Sequence, residues 1–165
     1  MASKLRVDSI VPVDGVTTTG GGGIVQITMG RTNNRTENTS TSFNATNLEA
    51  TITPKFTTSK IYVQVSGDGN TNHGSGSETI FLTVYRSIGG GSFSNLGHSS
   101  TGFTQIRNDS SRTHAPVCIN YLDNPNTTAA VVYKVYMRSS GGTQVEFPSD
   151  NGQAYSYMHL LEVSA

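Results

Sequence analysis

Lys60-Ile61-Tyr62-Val63-Gln64-Val65 and Ile80-Phe81-Leu82-Thr83-Val84-Tyr85-Arg86 decide the fold. In an extended chain the first stretch sets Ile61, Val63 and Val65 on one face, and the second does the same with Ile80, Leu82 and Val84. A repeat of two is the mark of a half-buried strand, because a helix would need its apolar residues three and four apart. Working outward, Ile24-Val25-Gln26-Ile27-Thr28 reads as an opening strand and Ala50-Thr51-Ile52-Thr53 as one ending at Pro54. Gly89-Gly90-Gly91 is a turn, with a hairpin partner expected from Phe93. Gly102 to Ile106, Val117 to Tyr121, Ala130 to Met137 and Tyr155 to Val163 complete the set. Turn clusters such as Asp123-Asn124-Pro125-Asn126 and Ser139-Ser140-Gly141-Gly142 separate them. The pattern predicts about eight strands. No helical stripe is long enough to bridge parallel strands, so the expected fold is all-β, an antiparallel β-sandwich of jelly-roll type.

Composition narrows the function classes. The 165 residues suit one domain. Lys plus Arg and Asp plus Glu are both 11, so there is no net field to steer a polyanion and no nucleic-acid partner is expected. Charged residues are only 13%, while Ser, Thr and Asn make up about a third of the chain, which implies a polar but nearly uncharged surface. No apolar run approaches the length of a membrane helix, so no membrane partner is expected. The opening residues carry Asp8, Pro12 and Asp14 in place of an apolar core segment, so no secretory signal is expected and synthesis is assigned to a cytoplasm.

Residues 1–23 are read apart from the domain at 24–165 as an extended N-terminal arm. Leu5, Val7, Ile10, Val11 and Val13 give the arm an apolar character, and Gly20-Gly21-Gly22-Gly23 follows as a flexible hinge. So short a segment has no core of its own, and its apolar side chains need a cover. The arm is therefore expected to bind a partner, with strand addition as a reasonable mode.

Few patterns carry chemistry. Asp68-Gly69-Asn70-Thr71-Asn72-His73-Gly74 places oxygen ligands at alternate positions. Its register fails for an EF-hand, since His73 stands sixth and Glu78 falls one place short of twelfth. It is read as a surface loop, with Asp68, Asn70, Asn72 and His73 as candidate ligand-facing residues. His73, His98, His114 and His159 are spread singly, and no metal or other cofactor is expected. Cys118 is the lone cysteine, lies within Val117-Cys118-Ile119 and is read as a packing residue. There is no Gly-x-Ser-x-Gly elbow and no P-loop, so an enzyme is not expected. Tyr62, Tyr85, Tyr133, Tyr155 and Tyr157 are read first as core or interface residues and second as platforms for sugars.

Several strings carry a resemblance to a known family: Thr41-Ser42-Phe43, Leu48-Glu49-Ala50-Thr51-Ile52-Thr53-Pro54 and Thr57-Thr58-Ser59-Lys60-Ile61, then Asn120-Tyr121-Leu122-Asp123-Asn124-Pro125, Val132-Tyr133-Lys134-Val135-Tyr136 and His159-Leu160-Leu161-Glu162-Val163. Together with Leu5-Arg6-Val7-Asp8-Ser9-Ile10 ahead of a glycine run, and in this order, they resemble small virion structural proteins of marine and cyanobacterial tailed bacteriophages. Residues 66–115 match none of that family's signatures. The resemblance implies a jelly-roll homotrimer located in the virion. It would be either a capsid decoration (cement) protein, held to the major capsid protein or another virion component by its arm, or a tail-fibre or tail-tip adhesin touching a host surface glycan. No catalytic residue is implied.

Overall fold

The computed structural model describes residues 23–71, 77–109, 112–149 and 155–163. The arm residues Leu5, Val7, Ile10, Val11 and Val13, together with Asn72 and His73, lie outside the described residues. Eleven strands are formed: β1 (Ile24–Thr32), β2 (Thr36–Asn38), β3 (Asn44–Ile52), β4 (Lys60–Thr71), β5 (Glu78–Ile88), β6 (Ser94–Asn95), β7 (Thr104–Asn108), β8 (Thr113–Asp123), β9 (Val131–Ser139), β10 (Val145–Phe147) and β11 (Ser156–Val163). No helix occurs among the described residues. The expectation of about eight strands falls short because β2 and β10 span only three residues each, too short to show a repeat, whereas the two-residue β6 is the hairpin partner expected from Phe93. The strand expected over 50–53 begins six residues earlier, at Asn44. Thr46 hides it: this polar residue points inward and satisfies itself by donating its hydroxyl to the Val135 carbonyl at 2.9 Å.

The strands form two antiparallel sheets packed as a sandwich. In the first, β1 pairs β11, β11 pairs the first half of β4, and β8 runs along the whole opposite edge of β4. The far end of β4 pairs β10, which pairs β2. In the second, the order is β3-β9-β5, and β7 and β6 share the remaining edge of β5.

The residues that predicted the strands fill the space between the sheets. Ile61, Val63 and Val65 from β4 meet Ile80, Leu82 and Val84 from β5, and all six are fully buried. β9 contributes Val131, Tyr133, Val135 and Met137, and β11 contributes Met158 and Leu160, each at alternate positions. Each such side chain contributes about 1.5–3 kcal/mol relative to an exposed one. The β1 and β3 edges meet without a ladder. Gln26 Nε2 donates to the Thr53 carbonyl at 2.7 Å and Thr28 Oγ1 to the Thr51 carbonyl at 3.0 Å. Gly30 is required at this seam, where any Cβ would overlap the Glu49 carbonyl.

Candidate interaction surfaces

Four carboxylates, Glu78, Asp123, Glu146 and Glu162, face inward and are almost fully buried. Asp123 is 4% exposed and accepts both Arg86 Nη1 contacts, at 2.8 and 2.9 Å, and the Tyr133 hydroxyl at 2.6 Å. Burial, then the bond to Asp123, pushes the Tyr133 hydroxyl far above the ordinary tyrosine range. Glu146 accepts from Asn70 Nδ2 at 2.7 Å, Gln144 Nε2 at 2.8 Å and Arg112 Nη2 at 3.3 Å. Glu162 accepts from Gln26 Nε2 at 2.6 Å and Lys55 N at 2.7 Å. Burial alone would raise its pKa, but the hydrogen bonds it accepts outweigh burial and hold it below the usual range.

Glu78 shows the same balance most strongly. Burial raises its pKa, while Ser140, Thr79, Thr143 and Gly141 donate to its carboxylate and bring it down from 4.5 to about 2. A group so acidic cannot act as a general acid near neutral pH. These carboxylates pin loops and sheet ends to the sandwich.

Asp68, His114 and Ser149 gather the residue types of a nucleophilic triad without its geometry. His114 Nδ1 lies 3.2 Å from Ser149 Oγ and 3.5 Å from Asp68 Oδ2, and Ser149 Oγ donates directly to the same Asp68 oxygen. A relay needs the serine on one ring nitrogen and the carboxylate on the other, whereas one nitrogen here faces both. Ser149 is fully buried, so no substrate carbonyl reaches it. The trio ties β4, β8 and the segment after β10 together.

This geometry corrects the loop expectation at Asp68 and Asn70. β4 continues to Thr71, so Asp68 and Asn70 are strand residues, and Asn70 is fully buried against Glu146. An extended strand cannot wrap oxygen ligands at alternate positions around one ion. Among the described residues no group of three or more His, Cys, Asp or Glu is placed to hold a metal. Cys118 is corrected as well. Its strand neighbours Val117 and Ile119 face the core, and by alternation Cys118 is exposed on the other side.

Two outer faces remain. On the β1-β11-β4-β8 sheet, register aligns Ile27, Leu161, Tyr62 and Leu122 in one row across four strands. Three inter-strand steps make that row about 15 Å long. Ile27 is 59% exposed and Leu122 51%, and Ile24 at 58%, Met29 at 53% and Tyr155 at 46% add to the apolar surface. The neighbouring rows are Met29-His159-Gln64-Asn120 and Arg31-Tyr157-Ser66-Cys118, so no carboxylate lies in these three rows. Sequence reading missed this row because its members come from residues 27 to 161 and each looks like an ordinary outward position.

The opposite face, on β3-β9-β5, carries an aromatic groove of about 510 Å³ lined by Thr41, Ser42, Phe43, Tyr85, Ser99, Ser100 and Arg138. Tyr85 stacks on Tyr136 at 3.9 Å between centroids with 21° between planes, and Phe43 and Phe93 flank the pair at 6.4 and 6.0 Å. Burial, then the neighbouring Tyr136, raises the Tyr85 pKa, so its hydroxyl stays neutral. The Arg138 guanidinium lies 4.3 Å from the Phe81 ring and 5.6 Å from the Phe43 ring. It donates Nε to the Ser100 carbonyl at 2.7 Å, Nη2 to that same carbonyl, and Nη1 to the Thr41 and Ser139 carbonyls at 3.3 Å. Gly102 brings the 98–102 turn onto β5: its φ is +65° and Phe103 N donates to the Leu82 carbonyl at 2.8 Å. Of the tyrosines singled out in the sequence, Tyr133 is core, Tyr85 is in this groove, and Tyr62, Tyr155 and Tyr157 are on the opposite sheet. No protein-family model matches the chain, and no curated protein matches it.

Proposed function

We propose that this protein is a bacteriophage virion structural protein of jelly-roll type that assembles as a homotrimer through the outer face of the β1-β11-β4-β8 sheet, with residues 1–23 binding the capsid as the anchor of a decoration protein. The observation that carries the self-association is the uncharged apolar row Ile27-Leu161-Tyr62-Leu122. A monomer gains nothing from four aligned apolar side chains in water, and covering the half-exposed ones contributes about 1–2 kcal/mol each. The three central rows, without a carboxylate and with Arg31 as their one permanent charge, can meet copies of themselves without strong like-charge repulsion. The strand orders β1-β11-β4-β8 and β3-β9-β5-β7 match the two four-stranded sheets of a jelly roll, which supports the finer fold reading. The aromatic groove favours a second reading, a tail-fibre or tail-tip adhesin that binds a host surface glycan.

Light scattering on the chromatographed full chain tests the assembly. The expected mass is three times 17.5 kDa, and Ile27→Asp with Leu122→Asp should reduce it to one protomer without loss of β circular dichroism. A monomeric wild type, or a double variant that stays trimeric, refutes the interface. On particles, deletion of residues 2–19 should leave the trimer intact and abolish attachment. Hundreds of copies per virion would mark decoration, and a few would mark the tail.

A further inference from the structure

The geometry points to the groove between Tyr85 and Arg138 as a binding site for a carboxylated pyranose, a uronic or sialic acid unit of a cell-surface polysaccharide. This inference rests on the second reading above, in which the domain touches a host glycan, and adds the ligand class.

Three features select that class. Phe43 and Tyr85, the latter backed by its stack on Tyr136, line the groove on the side of the sheet away from the core. Such a wall fits the C–H face of a sugar ring. The rim carries the hydroxyls of Thr41, Ser42, Ser99 and Ser100, short side chains that exchange hydrogen bonds with sugar hydroxyls at little entropic cost. At about 510 Å³ the groove is within the usual size of a small-ligand site.

The charge comes from Arg138. Its partners are carbonyls and aromatic rings, and among the described residues no carboxylate pairs with it. A guanidinium has five N–H donors, so at least one Nη2 proton is left for a ligand. Because Nε and Nη2 both serve the Ser100 carbonyl, the forked edge is taken, and a ligand carboxylate would be met end-on through one oxygen. A single held cation in a neutral chain suits one carboxylate better than a polyphosphate backbone, which calls for several basic groups. A hydroxyl rim and a held cation likewise separate this groove from the apolar row on the other sheet.

Isothermal titration of the full chain with oligosaccharides carrying uronic or sialic acid, each against its carboxyl-reduced counterpart, tests the proposal. The expected result is binding of at least one acidic probe, with at least tenfold weaker affinity for its reduced form and weakening as salt rises. Tyr85→Ala should lower that affinity at least tenfold while circular dichroism and the oligomer mass stay unchanged. Ser99→Ala combined with Ser100→Ala provides a second variant that leaves the sheet untouched, and it should also weaken binding. Equal affinity for acidic and reduced probes overturns the acidic class but leaves the adhesin reading standing. Binding to neither kind overturns both, and binding that survives both variants overturns the site.

Discussion

Glu78→Gln removes the charge from the carboxylate that accepts bonds from Ser140, Thr79, Gly141 and Thr143 while keeping its shape. The ionised form is favoured in the folded chain by the fall from 4.5 to about 2, which corresponds to about 3 kcal/mol. The sign follows from the depressed pKa. Folding stability from this group is fully present above about pH 4.5 and is lost as pH falls toward 2. At neutral pH the variant should therefore be less stable by about 3 kcal/mol, a shift of about 6–12 °C in a domain of this size. At pH 2 the wild-type carboxyl is itself partly protonated, so most of the difference should vanish. Urea unfolding at a series of pH values measures this, with both proteins at equal protomer concentration because self-association would add to apparent stability. A difference that is the same at pH 7 and pH 2, or one below about 1 kcal/mol at pH 7, would refute the account of the carboxylate as a charged clamp.

Two further outcomes are expected. Tyr133→Phe deletes the buried hydroxyl that donates to Asp123 but leaves the Arg86 contacts, so it should cost about 1–2 kcal/mol in thermal or chemical unfolding; no loss would mean the hydroxyl bond has no net value. Cys118 is exposed beside Ser66 at the end of the row Arg31-Tyr157-Ser66-Cys118 on the proposed subunit face, so its thiol should react slowly with an aromatic disulfide reagent in the assembled protein and faster in the Ile27→Asp, Leu122→Asp variant; equal rates would place it outside the contact.

Asn44 to Glu49 is too polar to read as strand, yet Thr46 and Leu48 both point inward, because a hydroxyl that donates to a neighbouring carbonyl can be buried. Asn70 failed in the same way: its amide suggested a loop, but Glu146, far along the chain, supplies the partner that allows burial. Cys118 reads as a packing residue because Val117 and Ile119 are apolar, yet adjacent residues of a strand face opposite ways and its thiol is exposed.

The sequence by itself determined that the chain is all-β and which side chains of β4 and β5 face inward, since a repeat of two is local and survives without knowledge of any partner. It also placed the turn at Gly89-Gly90-Gly91. Only the tertiary structure decided which strands lie side by side, and with that the row from Ile27 to Leu122 and the groove that joins Phe43, Tyr85 and Arg138. Alternation fixes the face on which a side chain stands, but its neighbours on that face are set by long-range pairing, which no short window of sequence contains.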